Sequence, residues 1–427
     1  MRLLALLAAL VGAWLLPGGP PGIGVPIVAA LVLGAAAAAR RPTPFQAALG
    51  ALAFALATQA ALLDAGWVVA LDLCAAWGLA TVAVGGVSLP ALTAPPTRLS
   101  RVPARVPTPS LDYLPAVRGV LLGTVLVLPF AGLFLAGDAA FATLADGIPL
   151  PSVGKLPGRA LAFALILAAA LGLALTAKEP PQTEIARPRA RLGLLEWLIP
   201  LALLNALFLV FVLVQVAVLF GGHDHVLETS SVTYAEYARS GFWQLLAACA
   251  LTLAVYGAAT IFARTDGRAQ RLALRLLLGT LGLLTMVVLL SAFHRLRLYE
   301  DAFGLTRLRL AAEATTVCLG LLLALVLTVR RRLAEVTAVA AAVSLLGFSL
   351  ANPDRMIAER NVERWRDTGR IDERYLAGLS SDAVPALVEL PPTLRAATTS
   401  GISNRLSEHE PFGSANRSRS RARALLR

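Results

Sequence analysis

Apolar residues run through this chain in blocks too long for the core of a soluble fold. Alanine, leucine and valine dominate stretches near residues 3–17, 23–39, 46–63, 66–90, 116–137, 157–177, 193–220, 241–263, 273–293, 308–329 and 334–351. Lipid offers no partner to a bare amide or carbonyl, so each block is predicted to be a helix. A crossing needs about 20 apolar residues, which makes about eleven spans. The expected fold class is all-α, a polytopic transmembrane helical bundle. The first block is short and follows Arg2. It lacks a small-x-small cleavage site and reads as an uncleaved span.

The polar stretches between the blocks alternate in charge. Seventeen Lys or Arg residues fall in every second loop, among them Arg40, Arg41, Arg101, Arg268 and Arg331, against five in the loops between. The positive-inside rule then predicts a cytoplasmic N-terminus and a C-terminal tail outside.

Composition supports the membrane reading. The chain has 427 residues, 57% hydrophobic and only 15% charged, where soluble domains carry about 25% charged residues. The net charge of +12 is mostly this topology signal with some attraction to anionic lipid. It predicts a lipid bilayer, and no nucleic acid, as partner. Lys155 and Lys178 are the only lysines among 38 basic residues. Cys74, Cys249 and Cys318 all sit in apolar runs, with no disulfide framework and no metal-ligand spacing.

The predicted organisation is a set of variable N-terminal spans over 1–90, a Pro- and Arg-rich cytoplasmic linker at 91–114, a membrane core over 115–352 and a polar tail. In the tail, Asn352 and Pro353 read as a cap and first-turn proline, opening a helix that ends at Gly369. Asp372 caps a second short helix. Ser380 or Ser381 caps a third, which Pro391-Pro392 stops, completing a helical tail over 353–392. Residues 393–427, rich in Ser, Asn and Arg, are expected to be disordered.

The orientation collects the densest polar segments on the outer face: Asp138, His223-Asp224-His225, the cluster Tyr234, Tyr237 and Arg239, and Tyr299-Glu300-Asp301. Such a face can build a site, and any outer loop must also be polar. A His-x-His pair offers at most two ligands where zinc takes three or four, so a solvated turn is the simpler reading and no metal or cofactor is expected. Thr233-Tyr234-Ala235-Glu236 has the form of a capping box, which makes Glu236 a helix-start residue; Tyr237 and Arg239 are then the best outer-face candidates there.

Within the spans, Asp72, Asn205, Gln215 and Glu313 are costly in lipid and should face the bundle interior. Arg309 lies one turn before Glu313, so an internal ion pair is expected. Asp72 has no sequence-local partner and is the best candidate for a buried ionisable group. Asn205 and Gln215 read as interhelical hydrogen bonders. There is no Walker loop, no Gly-x-Ser-x-Gly and no His-Glu-x-x-His.

Four blocks carry a family resemblance: LNALFLVFVLVQVAVLFGG running into TYAEYARSGFWQLL at Thr233–Leu246, RLRLYEDAFGLTRLRL at Arg295–Leu310, NPDRMIAERNVERWRDTG, and YLAGLSSDAVPAL. Their order and spacing resemble the family called "domain of unknown function 4173", with its relative number 4153, over roughly residues 115–390. The resemblance implies a multi-pass protein of the bacterial inner membrane and brings no activity. Three functions stay open: a non-enzymatic envelope sensor or scaffold with an envelope protein partner, a small-solute or ion transporter, and a membrane enzyme acting on a lipid or envelope substrate.

Overall fold

The computed structural model of the chain describes residues 1–85, 156–179, 192–220, 242–329, 333–408 and 410–427. These residues are helical throughout, without a β-strand. Seven described helices are long and apolar enough to cross a membrane, and a pair bent by 51° makes an eighth if it counts as one crossing. The blocks at 3–17 and 23–39 form α1 (Arg2–Leu15) and α2 (Gly24–Ala39), which are apolar but shorter than that. The block at 116–137 and the linker 91–114 lie outside the described residues.

The chain divides into two compact units. One comprises Met1–Asp64, Leu73–Thr183 and His409–Arg417. It holds α1, α2, α3 (Pro44–Leu62), the later turns of α4 (Gly66–Gly85) and α5 (Leu156–Lys178). Ala5, Ala8, Ala35 and Ala170 are fully buried where α1, α2 and α5 meet; side chains this small let helix backbones approach closely. A reciprocal capping box opens α3, with Thr43 and Gln46 each bonding the other's amide. The Asn416 amide donates to the Ala60 and Leu63 carbonyls at 3.0 and 2.9 Å, groups that the end of α3 leaves without helical partners. A Cβ at Gly413 would stand 2.0 Å from the Leu15 carbonyl oxygen, so only glycine fits there.

The other unit comprises Ala65–Asp72, Glu184–Glu408 and Ser418–Arg427. Its membrane helices are α6 (Leu194–Phe220), α7 (Phe242–Phe262), α8 (Arg268–Phe303), α9 (Arg307–Thr328) and α10 (Leu333–Leu350). Helix α8 packs against α6, α7 and α9. Asn205 donates to Leu201 in its own turn and across to the Leu277 carbonyl of α8 at 3.1 Å, the interhelical role expected of it. Leu203 and Leu207 on α6 and Leu283 and Leu290 on α8 point outward, each more than 60% exposed. A helix apolar on both its inner and outer faces suits lipid and not water. With 36 residues, α8 is about 54 Å long. That exceeds the hydrocarbon thickness of about 30 Å, and the stretch apolar enough to cross ends at Arg297, short of the helix end at Phe303.

Polar helices follow: α11 (Pro353–Thr368), α12 (Glu373–Ala377), a 3₁₀ turn (Ser381–Ala383) leading into α13 (Val384–Leu387), α14 (Pro392–Leu406) and α15 (Arg417–Leu426). The Asn352 side chain accepts the Arg355 amide, Gly369 ends α11 in the left-handed region, and Asp372 caps α12 through the Tyr375 amide, as the sequence predicts. Ser380 stands at the N-cap position of the third element, but its hydroxyl bonds Asp382 and not a helix amide. That element ends at Leu387, ahead of Pro391-Pro392, and Pro392 then opens α14.

The expectation of disorder over 393–427 is corrected: the segment carries α14 and α15. Thr398, Ile402 and Leu406, one turn apart, are buried, and Ile402, Leu406 and Ala422 join a core with Ile357, Leu376, Leu387 and Leu390. The arginines that give the segment its polar composition serve this packing. Arg395, Arg405 and Arg423 donate to the carbonyls of Leu390, Leu379 and Leu406, which helix ends would otherwise leave unbonded. Leu305 and Leu310 share the same core, so the tail is folded onto the α8–α9 turn.

Candidate functional site

Two polar arrangements converge at this end of the bundle, both within the second unit. The first is a buried network around Asp354 in the first turn of α11. Asp354 is fully buried. It accepts Arg307 Nε at 2.9 Å, the Arg307 terminal nitrogen, Trp67 Nε1 at 3.1 Å and the Ser380 amide at 2.9 Å. Its neighbour Asp382 accepts the Ala65 amide at 2.8 Å, the Ser380 hydroxyl at 2.9 Å and Asn352 Nδ2 at 3.2 Å. The Tyr375 hydroxyl accepts the Arg307 amide, and Trp67 meets Phe348 edge to face at 5.8 Å. Nearly every polar atom is bonded, so the network rigidifies this junction.

The second arrangement is a cleft of about 620 Å³ between the end of α8 and helices α9, α10 and α11. Part of its lining is apolar, with Leu305, Leu310, Val317 and Phe348. It is also lined by charges: Arg297, Glu300 and Glu313 from α8 and α9, Arg360 and Arg364 with Glu363 and Asp367 from α11. Arg297 bridges two of these carboxylates, 3.3 Å from Glu313 and 3.9 Å from Glu300. Glu300 is 8% exposed, and its Oε1 has no hydrogen-bond partner among the described residues. Burial first, and then repulsion from Glu313, push the Glu300 carboxyl up to about 7 against the pull of Arg297, Arg309 and Arg360. A cleft lined by apolar side chains and by charges of both signs is the kind of place where a binding site can be built.

The profile of the family described as "Domain of unknown function (DUF4153)" matches residues 22–390. This chain belongs to the DUF4153 family. No curated protein and no solved structure matches it. The match is to the relative of the family named from the motif blocks, and it begins at residue 22 rather than near 115, so α2, α3 and α4 lie inside the DUF4153 region.

Of the residues that the sequence singled out, Glu300 and Glu313 come together in the cleft. The expected Arg309–Glu313 pair does not form: Glu313 takes Arg297 from the neighbouring helix, while Arg309 donates to the Gly304 carbonyl and lies over the Phe303 ring at 5.8 Å. Asp72 is fully buried and accepts the Ser349 hydroxyl of α10 at 2.8 Å. Tyr299 belongs to α8, with its side chain outside the described residues, as are Asp138, His223, Tyr234, Tyr237, Arg239 and Gln215 of the predicted polar positions. Among the described residues no group of three His, Cys, Asp or Glu could hold a metal ion. Sequence reasoning passed over Asp354 and Trp67 and counted Arg297 and Arg307 only as topology markers. An aspartate directly after an Asn-Pro cap was the one local signal available, and it reads equally as a favourable first-turn charge.

Proposed function

We propose that this DUF4153 protein is a multi-pass protein of the bacterial inner membrane that works as a non-enzymatic envelope sensor or scaffold. Its N-terminus lies in the cytoplasm, and its folded tail, with the charged cleft, faces outward. The cleft carries this reading: its carboxylates are held by Arg297 in an arrangement that suits holding a ligand's charges, next to a tail ordered enough to relay occupancy to an envelope partner. An alkaline phosphatase fused after Leu390 should be active, and a fluorescent reporter that requires the cytoplasm should stay dark at the same position. The reverse pattern would place the tail inside and remove the reading.

A small-solute or ion transporter is the second reading. Its support is Asp72, a fully buried carboxylate in α4 whose Oδ2 has no partner among the described residues.

A further inference from the structure

The first unit holds a pocket of about 460 Å³ between α2, α3 and the last turns of α4 and α5. Ala36, Ala80, Leu173 and Ala177, which line it, are buried and packed together. The space above them comes from small residues that do not close up. Gly34 of α2 and Gly50 of α3 also line the pocket, and a Cβ added at either would meet nothing within 4 Å. In α1 the opposite holds: a Cβ at Gly12 would collide with Ile166. Ala37, Ala51 and Phe54 of the lining are exposed, so the pocket opens on the flank of the unit.

Charge stands at one end only. The lining follows α2 from Ala30 and continues to Arg40 and Arg41 in the loop before α3. Ala30 to Arg40 is about 15 Å at the helical rise, roughly half the hydrocarbon thickness, or one leaflet. The span α3 starts at Pro44, so the two guanidiniums stand where spans meet headgroups. Both arginines are exposed, no Asp or Glu is among the described lining residues, and neither arginine is ion-paired among the described residues. We infer that the pocket holds an acyl chain of an anionic phospholipid, with the lipid phosphate on Arg40 and Arg41. Guanidinium groups grip phosphate oxygens in a fork, and basic pockets between membrane helices suit lipid phosphates. A zwitterionic lipid brings an ammonium for which the lining has no carboxylate. The open flank leaves the second chain in the bilayer.

The site belongs to the first unit, so it stands whatever the charged cleft of the second unit binds and whichever way the tail faces. The full chain in mild detergent is mixed with equal amounts of phosphatidylglycerol and phosphatidylcholine, and retained lipid is read by native mass spectrometry. Phosphatidylglycerol should dominate. Attraction to the arginines alone needs no pocket, so the variant that decides is Gly50→Leu, which fills the pocket and keeps both charges. It should lower retained phosphatidylglycerol about tenfold. Gly34→Leu fills the same space from α2 and serves if Gly50→Leu does not fold. Arg40→Gln combined with Arg41→Gln should abolish the preference for phosphatidylglycerol. Equal retention of the two lipids by the parent overturns the inference, as does full retention of phosphatidylglycerol by a folded, pocket-filled variant. Displacement by an equal concentration of oleate overturns the phospholipid as occupant. A lipid-free dimer that Gly50→Leu splits into monomers gives the pocket to a second copy and overturns it too.

Discussion

The guanidinium of Arg307 and the carboxylate of Asp354 meet side by side, two nitrogens on two oxygens, although 47 residues separate them in sequence. This pair joins the first turn of α9 to the first turn of α11. Removing one member of a buried pair strands the other and costs about 3–5 kcal/mol. Asp354→Ala should therefore lower the melting temperature by many degrees and expose the tail to protease. Arg307→Met should cost at least as much, because it leaves the fully buried Asp354 carboxylate without its counter-charge, with only the Trp67 and Ser380 bonds remaining. Equal melting of Asp354→Ala and the parent in detergent would show that the tail docks without this pair.

Gly304 ends α8 at φ +78°, and a Cβ there would stand 2.6 Å from Asn361 Oδ1. Asn361 is itself fixed, donating to the Leu305 and Ile357 carbonyls at 2.8 Å each. Gly304→Ala thus meets both backbone strain, worth about 1–3 kcal/mol, and a neighbour that cannot move without breaking two bonds. The expected result is a clear loss of thermal stability. Asn361→Ala alone opens the space but leaves the Leu305 carbonyl unbonded, so the double variant should be no more stable than Gly304→Ala. A Gly304→Ala protein that melts with the parent would rule out this account of the α8–α9 turn.

What could be read from sequence was what depends on neighbours in the chain. Asn352, Pro353, Gly369 and Asp372 mark helix ends because caps are made within four residues. The apolar blocks mark helices because every backbone group in lipid must bond within its own segment. What failed was long-range or a matter of competition. The spacing of Arg309 and Glu313 is right for a pair, but it says nothing of Arg297 on the next helix, which reaches Glu313 first. Residues 393–427 look disordered by composition, yet a few apolar anchors one turn apart and arginines that bond helix-end carbonyls suffice to order α14 and α15. The cleft needed three helices and the tail in place, and no local signal announces that.

Glu300 makes stability depend on pH with a definite sign. Its carboxyl is raised from 4.5 to about 7, so between those values the folded protein holds a proton that the unfolded chain releases. Stability from this group is greatest below about pH 4.5, falls as pH rises to about 7, and is level above that; the span is worth on the order of a few kcal/mol. Facing groups are Glu313 and Arg309 on α9, Arg297 on α8 and Arg360 on α11. Glu300→Gln stays neutral throughout. The difference in melting temperature between variant and parent should therefore widen in the variant's favour from pH 5 to pH 7.5. A constant difference over that range would mean that Glu300 is not held protonated.

Asp72 separates recognition from transport. It lies within the span Gly66–Gly85, fully buried, with Ser349 on one oxygen and nothing described on the other. A carboxylate in that setting lowers stability unless it is used. Asp72→Asn keeps an acceptor for the Ser349 hydroxyl and removes the charge, so the melting temperature should hold or rise. If the protein is a sensor or scaffold, vesicles carrying the parent and vesicles carrying Asp72→Asn should show the same background flux of protons and small ions. A parent that moves ions and an Asp72→Asn protein that folds but does not would decide for the transporter. Asp72→Ala serves as the control for packing: it also removes the Ser349 bond, so a flux lost in Asp72→Asn must be lost in Asp72→Ala too if the carboxylate itself carries the ion.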